Sequence, residues 1–146
     1  MLEALVPVDG STNSIVAIRH VIKLIKDREP LEVHLLNVQP PLHRDVTTFI
    51  SHSAVKEFHL EEGRKALKAA TELLDSAGIS YSIHIAVGHP AEVIAQWASE
   101  LRCDKVIMGT RGLGTISQLL LGSVTHETIH LMDPRIPITL VKVGYA

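Results

Sequence analysis

The feature that most restricts the fold of this chain is an alternation. Five short runs rich in Val, Ile and Leu, over residues 2–8, 31–38, 79–87, 104–108 and 136–143, are separated by segments with helical periodicity. After the first run, Ile15, Ile18, Ile22 and Ile25 recur at spacings of three, four and three, which predicts an amphipathic helix. Ser11, Thr12 and Ser14 offer N-cap hydroxyls for it, and Glu29-Pro30 ends it. Pro40-Pro41 stops the second run and opens a polar loop. A long helix is predicted over 51–77, with Leu67, Ala70, Leu73, Leu74 and Ala77 on its apolar face. Gly63 inside it costs about 1 kcal/mol relative to Ala. Gly78 fits a C-cap. In the third run Ile83, Ile85 and Val87 alternate with Ser82, His84 and Ala86. Pro90 suits a first helical turn, and Ile94, Trp97, Ala98 and Leu101 then share one face. Residues 122–131 read as a last helix. Strands that alternate with helices throughout predict a parallel, doubly wound α/β sheet with right-handed crossovers. Periodicity leaves the strand order open.

At 146 residues the chain is expected to be one domain with a sizeable core. Apolar residues are 46% and aromatics only 3%, so that core must be aliphatic. The formal charge is −2 and no basic stripe appears, which argues against a nucleic-acid partner. A single cysteine, Cys103, excludes an internal disulfide and suits a reducing compartment. It is expected to be a small buried residue rather than a nucleophile. Met1 leads directly into a strand-like run, so no signal peptide is expected. No apolar run approaches the roughly 20 residues that span a bilayer, so no membrane insertion is expected. The expected location is cytoplasmic.

Chemistry concentrates after the fourth run. Gly109, Gly112, Gly122 and Ser123 form the pattern G-x2-G-x9-G-S, which links a strand to a helix. Glycines allow positive φ and close approach of a ligand. The free N–H groups of a helix start, with the helix dipole behind them, attract anions. A phosphate chain is the ligand this suggests. The loop is not a Walker A sequence, since no lysine follows its glycines. Arg111 lies inside it, where it either adds charge to phosphate contacts or points to solvent.

These residues resemble the nucleotide-binding signature of the universal stress protein family, in its ATP-binding branch. Three further segments resemble the same family: Val6-Pro7-Val8-Asp9-Gly10-Ser11, Val87-Gly88-His89-Pro90-Ala91-Glu92-Val93-Ile94 and Arg135-Ile136-Pro137-Ile138-Thr139-Leu140-Val141. The resemblance implies a five-stranded parallel sheet of order 3-2-1-4-5 with helices on both faces, a Rossmann-like architecture of the adenine nucleotide alpha hydrolase-like kind. It implies ATP as ligand, with or without Mg2+. Pro7, Val8, Asp9 and Ser11 would lie on the adenosine side, with Asp9 at a ribose hydroxyl. Val38 would lie against the adenine, and Met108 would touch base or ribose through its backbone. Gly109, Gly112, Gly122, Ser123 and Val124 would line the phosphates, with Arg111 close by. The chain departs from the family pattern at His126-Glu127, and residues 40–52 carry no strong family pattern.

Other features are weaker. His126, Glu127 and His130 formally match H-E-x-x-H, but the helix they occupy is needed for packing and anion binding, so no metal site is expected. His43, His52 and His59 are expected to be solvated. Asp9 has a plainer role open to it, as a cap on the next helix. Three uses of the chain stay open: a nucleotide-dependent regulatory module with an unknown protein partner, a slow Mg2+-dependent ATPase, and a nucleotide-free interaction protein. By the family's strand order the fifth strand lies at a sheet edge, and its apolar run predicts a homodimer through that edge.

Overall fold

In the computed structural model, residues 1–110 and 122–142 are described. The elements are β1 (Leu2–Pro7), α1 (Thr12–Lys26), β2 (Leu31–Gln39), α2 (Arg44–Thr47), α3 (His52–Ser76), β3 (Tyr81–Val87), α4 (Pro90–Glu100), β4 (Lys105–Gly109), α5 (Ser123–Leu131) and β5 (Ile138–Val141). The five strands form one sheet in the order β3-β2-β1-β4-β5, with every pairing parallel. This is the order that the family resemblance implied.

The two faces of the sheet carry separate aliphatic clusters. Ala4, Val6, Val33 and Leu35 pack with α1 and α3 on one face. Leu5, Leu36, Val106 and Met108 pack with α4 on the other. The central strands, covered on both sides, carry unbroken apolar runs, Ala4-Leu5-Val6 in β1 and Val106-Ile107-Met108 in β4. The α1 face is wider than its isoleucine spacing implied. Val16, Ala17, Ile18 and Val21 are buried, while Ile15, Ile22 and Ile25 are only partly so, because the helix packs against both the sheet and α3.

Two strands start two residues later than expected. Ile79 donates its N–H to the Leu74 carbonyl at 2.9 Å to close α3, so β3 begins only at Tyr81. Gly78, at φ +70°, supplies the predicted cap. Ile136 is held in a turn by its N–H bond to Asp133 at 3.0 Å, and β5 starts two residues later. Val143, predicted within this strand, lies outside the described residues. The short helix α2 had no periodic signal; His43 starts it by accepting from the Asp45 N–H at 3.4 Å. No helix among the described residues is long and apolar enough to cross a membrane.

Candidate functional site

β1 and β4 are neighbours, and the chain leaves them toward opposite faces, to α1 and α5. A crevice opens at such a switch point, at the carboxyl ends of the strands. Here it is a cleft of about 200 Å³. Of the residues singled out in the sequence, Pro7, Val8, Asp9, Ser11, Val38, Met108, Gly109, Gly122, Ser123 and Val124 all line it. Arg111 and Gly112 lie outside the described residues. Asn13, Ser14, Leu36, Pro90, Ile94, Thr110 and Thr125 line it too, and the sequence did not single them out for this.

The β1–α1 loop is built around Asp9. One carboxylate oxygen accepts from the Ser11 N–H at 2.8 Å and from the Ser14 hydroxyl at 3.1 Å. These bonds hold the loop against the start of α1, and Ser11 itself makes no side-chain cap bond. Burial pushes the Asp9 carboxyl up, but hydrogen bonds from Ser11 and Ser14 outweigh it and hold the group below the usual carboxylate value. The second carboxylate oxygen has no hydrogen-bond partner among the described residues. Gly10 makes the turn at φ +86°, a conformation that side chains rarely adopt.

Val8 offers less backbone than expected. Its N–H donates to the Leu36 carbonyl at 2.8 Å, and its carbonyl accepts from the buried Asn37 amide at 2.8 Å. Gln39 donates to the Asn37 side-chain oxygen at 2.7 Å. A polar side chain inside a buried strand must be bonded, and here the bonds fix the end of β1 against β2. The apolar wall of the cleft comes from Leu36, Val38, Ile94 and Met108.

The opposite wall is the start of α5. Gly122 is the N-cap and provides no side-chain cap, so the first-turn N–H groups of this helix have no capping acceptor among the described residues. At φ −59° and ψ 154°, Gly122 sits where any residue can sit, so positive φ is not the reason for this glycine. Gly109 has a steric reason instead: a β-carbon there would overlap the Asn13 carbonyl, so only glycine lets β4 end against the start of α1. Two bonds hold α5. Thr125 donates its hydroxyl to the Gly109 carbonyl at 3.3 Å, and Glu127 pairs with His89, at the N-cap of α4, at 2.8 Å.

That second pair takes up the Glu of the formal H-E-x-x-H match. His126 and His130 meet edge to face at 4.8 Å on an exposed surface. Among the described residues no group of three His, Cys, Asp or Glu is arranged to hold a metal ion. His59 corrects an expectation: it is buried at 5% exposure on α3, packed rather than solvated, and its Nδ1 has no partner among the described residues. Cys103 is buried as expected, and burial pushes its thiol up to about 11.

A profile of the universal stress protein family matches residues 2–142. The universal stress protein MJ0531 of Methanocaldococcus jannaschii is 30% identical over 94% of this chain and 79% of its own length. The solved structure of MJ0577, described as a hypothetical protein, superposes with a TM-score of 0.73 at 29% identity, over 96% of this chain and 94% of that one. Two family structures of lower identity share the fold. One, from Arabidopsis thaliana with AMP bound, has a TM-score of 0.69 at 18% identity over 97% and 92% of the two chains. The other, a universal stress protein in complex with cAMP, has a TM-score of 0.62 at 21% identity over 94% and 95%. With the profile spanning nearly all of its residues, the chain belongs to the universal stress protein family.

Proposed function

We propose that the cleft between β1 and β4 binds ATP, and that the protein is a nucleotide-dependent regulatory module of the stress response. The observation that carries this reading is the uncapped start of α5 facing the Asp9 loop across an apolar cleft. The N–H groups of Ser123 and Val124, without an acceptor among the described residues, suit phosphate oxygens. The ionised Asp9 carboxylate, with one oxygen unused, suits a ribose hydroxyl. Val38, Leu36 and Ile94 give a planar base an apolar bed. The AMP-bound and cAMP-bound relatives support an adenine nucleotide, and the glycine pattern supports a longer phosphate chain than theirs.

Binding rather than turnover is the favoured use. Asp9 is the only carboxylate among the described lining residues, and no lysine or histidine joins it there to activate water or stabilise a leaving phosphate. Bound Mg2+ would then serve the phosphates as counter-ion. The test is mass spectrometry of small molecules released from the purified protein, followed by calorimetry with MgATP. ATP in the extract and saturable heat are expected. An empty extract with no heat of binding would leave a nucleotide-free interaction protein.

A further inference from the structure

The sheet has two outer strands, and the one opposite β5 is β3. As an edge it is unusually unprotected. Tyr81–Val87 runs for seven residues with no proline and no charged side chain. Edge strands are commonly blunted by such residues, by bulges or by short length, because their unpaired N–H and C=O groups invite another strand. Gly88 donates its N–H to Gln39 on β2 at 3.0 Å. The two-residue alternation therefore turns Ser82, His84 and Ala86 toward β2, and the backbone groups of Tyr81, Ile83, Ile85 and Val87 outward. No described residue pairs with these outward groups. Ile83 and Val87 are also left 45% and 47% exposed.

α3 lines this edge with basic side chains, two of them unpaired among the described residues. Gly63 brings the helix close, since a β-carbon there would stand only 2.7 Å from Ile85. One groove between helix and strand runs over Ile83, bordered by Arg64, Lys65 and Lys68. A second, of about 460 Å³, is floored by Ile85 and Val87 and bordered by Lys56. Lys65 is paired with Glu62 at 3.2 Å and Lys68 with Glu72 at 3.9 Å. Lys56 and Arg64 have no ion-pair partner among the described residues, and Glu61, the one acid on these borders, pairs with neither.

We propose that the β3 edge and the α3 wall form a docking groove for an extended acidic and apolar segment of a partner protein, which adds to the sheet as a sixth strand. Main-chain bonds to the outward groups of β3 would supply affinity, and side-chain pockets would supply selectivity. The spacing specifies the segment. Lys56 and Arg64 are eight residues apart, about 12 Å along the helix. Positions i and i+4 of a strand are about 13 Å apart and face the same way. The fitting segment runs parallel to β3 with an acid at i and another at i+4. It carries a small apolar residue at i+2 and a bulky apolar one at i+6, over the wider groove. A second copy of this chain fits less well, because pairing two β3 edges would bring two sets of these basic side chains together.

The probe is a fluorescein-labelled peptide, Ser-Thr-Glu-Thr-Val-Thr-Glu-Thr-Phe-Thr, titrated against the full chain by anisotropy. Saturable binding is expected, with slowed amide exchange at Tyr81, Ile83, Ile85 and Val87. Ile83→Pro removes one outward N–H, a change that edge strands tolerate, and should weaken binding more than tenfold. The double variant Lys56→Glu, Arg64→Glu should do the same, as should a peptide with Lys in place of both Glu residues. No binding at about 1 mM peptide, or unchanged affinity in a folded Ile83→Pro protein, overturns the proposal. So does a self-association that Ile83→Pro abolishes, which would give the edge to a second copy. If Ile83→Pro does not fold, the charge reversals and the exchange pattern decide.

Discussion

The Thr125 hydroxyl donates to the Gly109 carbonyl at 3.3 Å, and this bond ties the first turn of α5 to the end of β4. The free N–H groups of α5 are thereby fixed relative to the strand that carries Met108, before any ligand arrives. Preorganised donors of this kind bind an anion without having to be ordered first.

Ser123→Pro isolates that contribution. Proline is well tolerated at the first helical position, and Gly122 before it already has the extended ψ that a following proline requires. The substitution removes one first-turn N–H while leaving the helix intact. ATP affinity measured by calorimetry should fall more than tenfold, about 1.4 kcal/mol, with an unchanged circular dichroism spectrum. Unchanged affinity would show that the start of α5 does not hold the phosphates.

Hydrolysis should be weak or absent. Ordinary enzymes turn over at roughly 1–1000 per second, and steady-state phosphate release here should lie orders of magnitude below that. Asp9→Ala should weaken nucleotide binding and, through loss of the bonds to Ser11 and Ser14, cost about 1 kcal/mol of stability. A brisk Mg2+-dependent rate that Asp9→Ala abolishes would make the protein an ATPase instead.

Mild acid should destabilise the fold through β2 and β3. Glu3 bonds His34 at 2.6 Å, and the other ring nitrogen of His34 faces His84 at 3.1 Å, with Trp97 against the His84 ring at 4.7 Å. Burial, and then the neighbouring His34, push His84 below its ordinary value of 6.5. A histidine lowered in the folded state takes up its proton more readily when unfolded. Its effect on stability is therefore absent above about pH 6.5 and grows as pH falls below it. The urea midpoint should drop between pH 7.5 and pH 5.5, and His84→Gln should flatten that slope. An equal slope in both proteins would remove His84 from the account.

Much of this was legible in the sequence, and the exceptions have physical causes. The central strands β1 and β4 were clear because both of their faces are covered, leaving Ala4-Leu5-Val6 and Val106-Ile107-Met108 as apolar runs, while β3 was read from its alternation. Their order came only from the family resemblance, since periodicity says nothing about neighbours. The cleft-lining residues of the β1 loop and the α5 start stood out because Asp9, the glycines and Ser123 are chemically distinctive. Leu36 and Ile94 were missed because a residue that lines a cleft and one that fills a core look alike in sequence. Asn37 did carry a signal, an amide set between the apolar Leu35-Leu36 pair and Val38. His59 was misread because the polar composition around it hid one buried position of α3. Gly109 was singled out for close approach of a ligand; in the structure the Asn13 backbone beside it requires a glycine there.

The last prediction concerns β5, the other edge. Pro137 accepts from the Val106 N–H at 3.0 Å, and Val141 accepts from the Thr110 N–H at 2.9 Å, both on the β4 side. By alternation Ile138 and Leu140 turn their N–H and C=O groups outward. Both are apolar, and nothing charged protects the strand before Lys142. Two copies related by a twofold axis can pair these edges antiparallel, each covering the other with the same surface. We expect a homodimer in light scattering at micromolar concentration. Leu140→Pro removes an outward donor while sparing the ladder to β4, and should halve the mass. Ile83→Pro, on the opposite edge, should leave the dimer intact. A native protein that runs as a monomer would remove β5 as an interface.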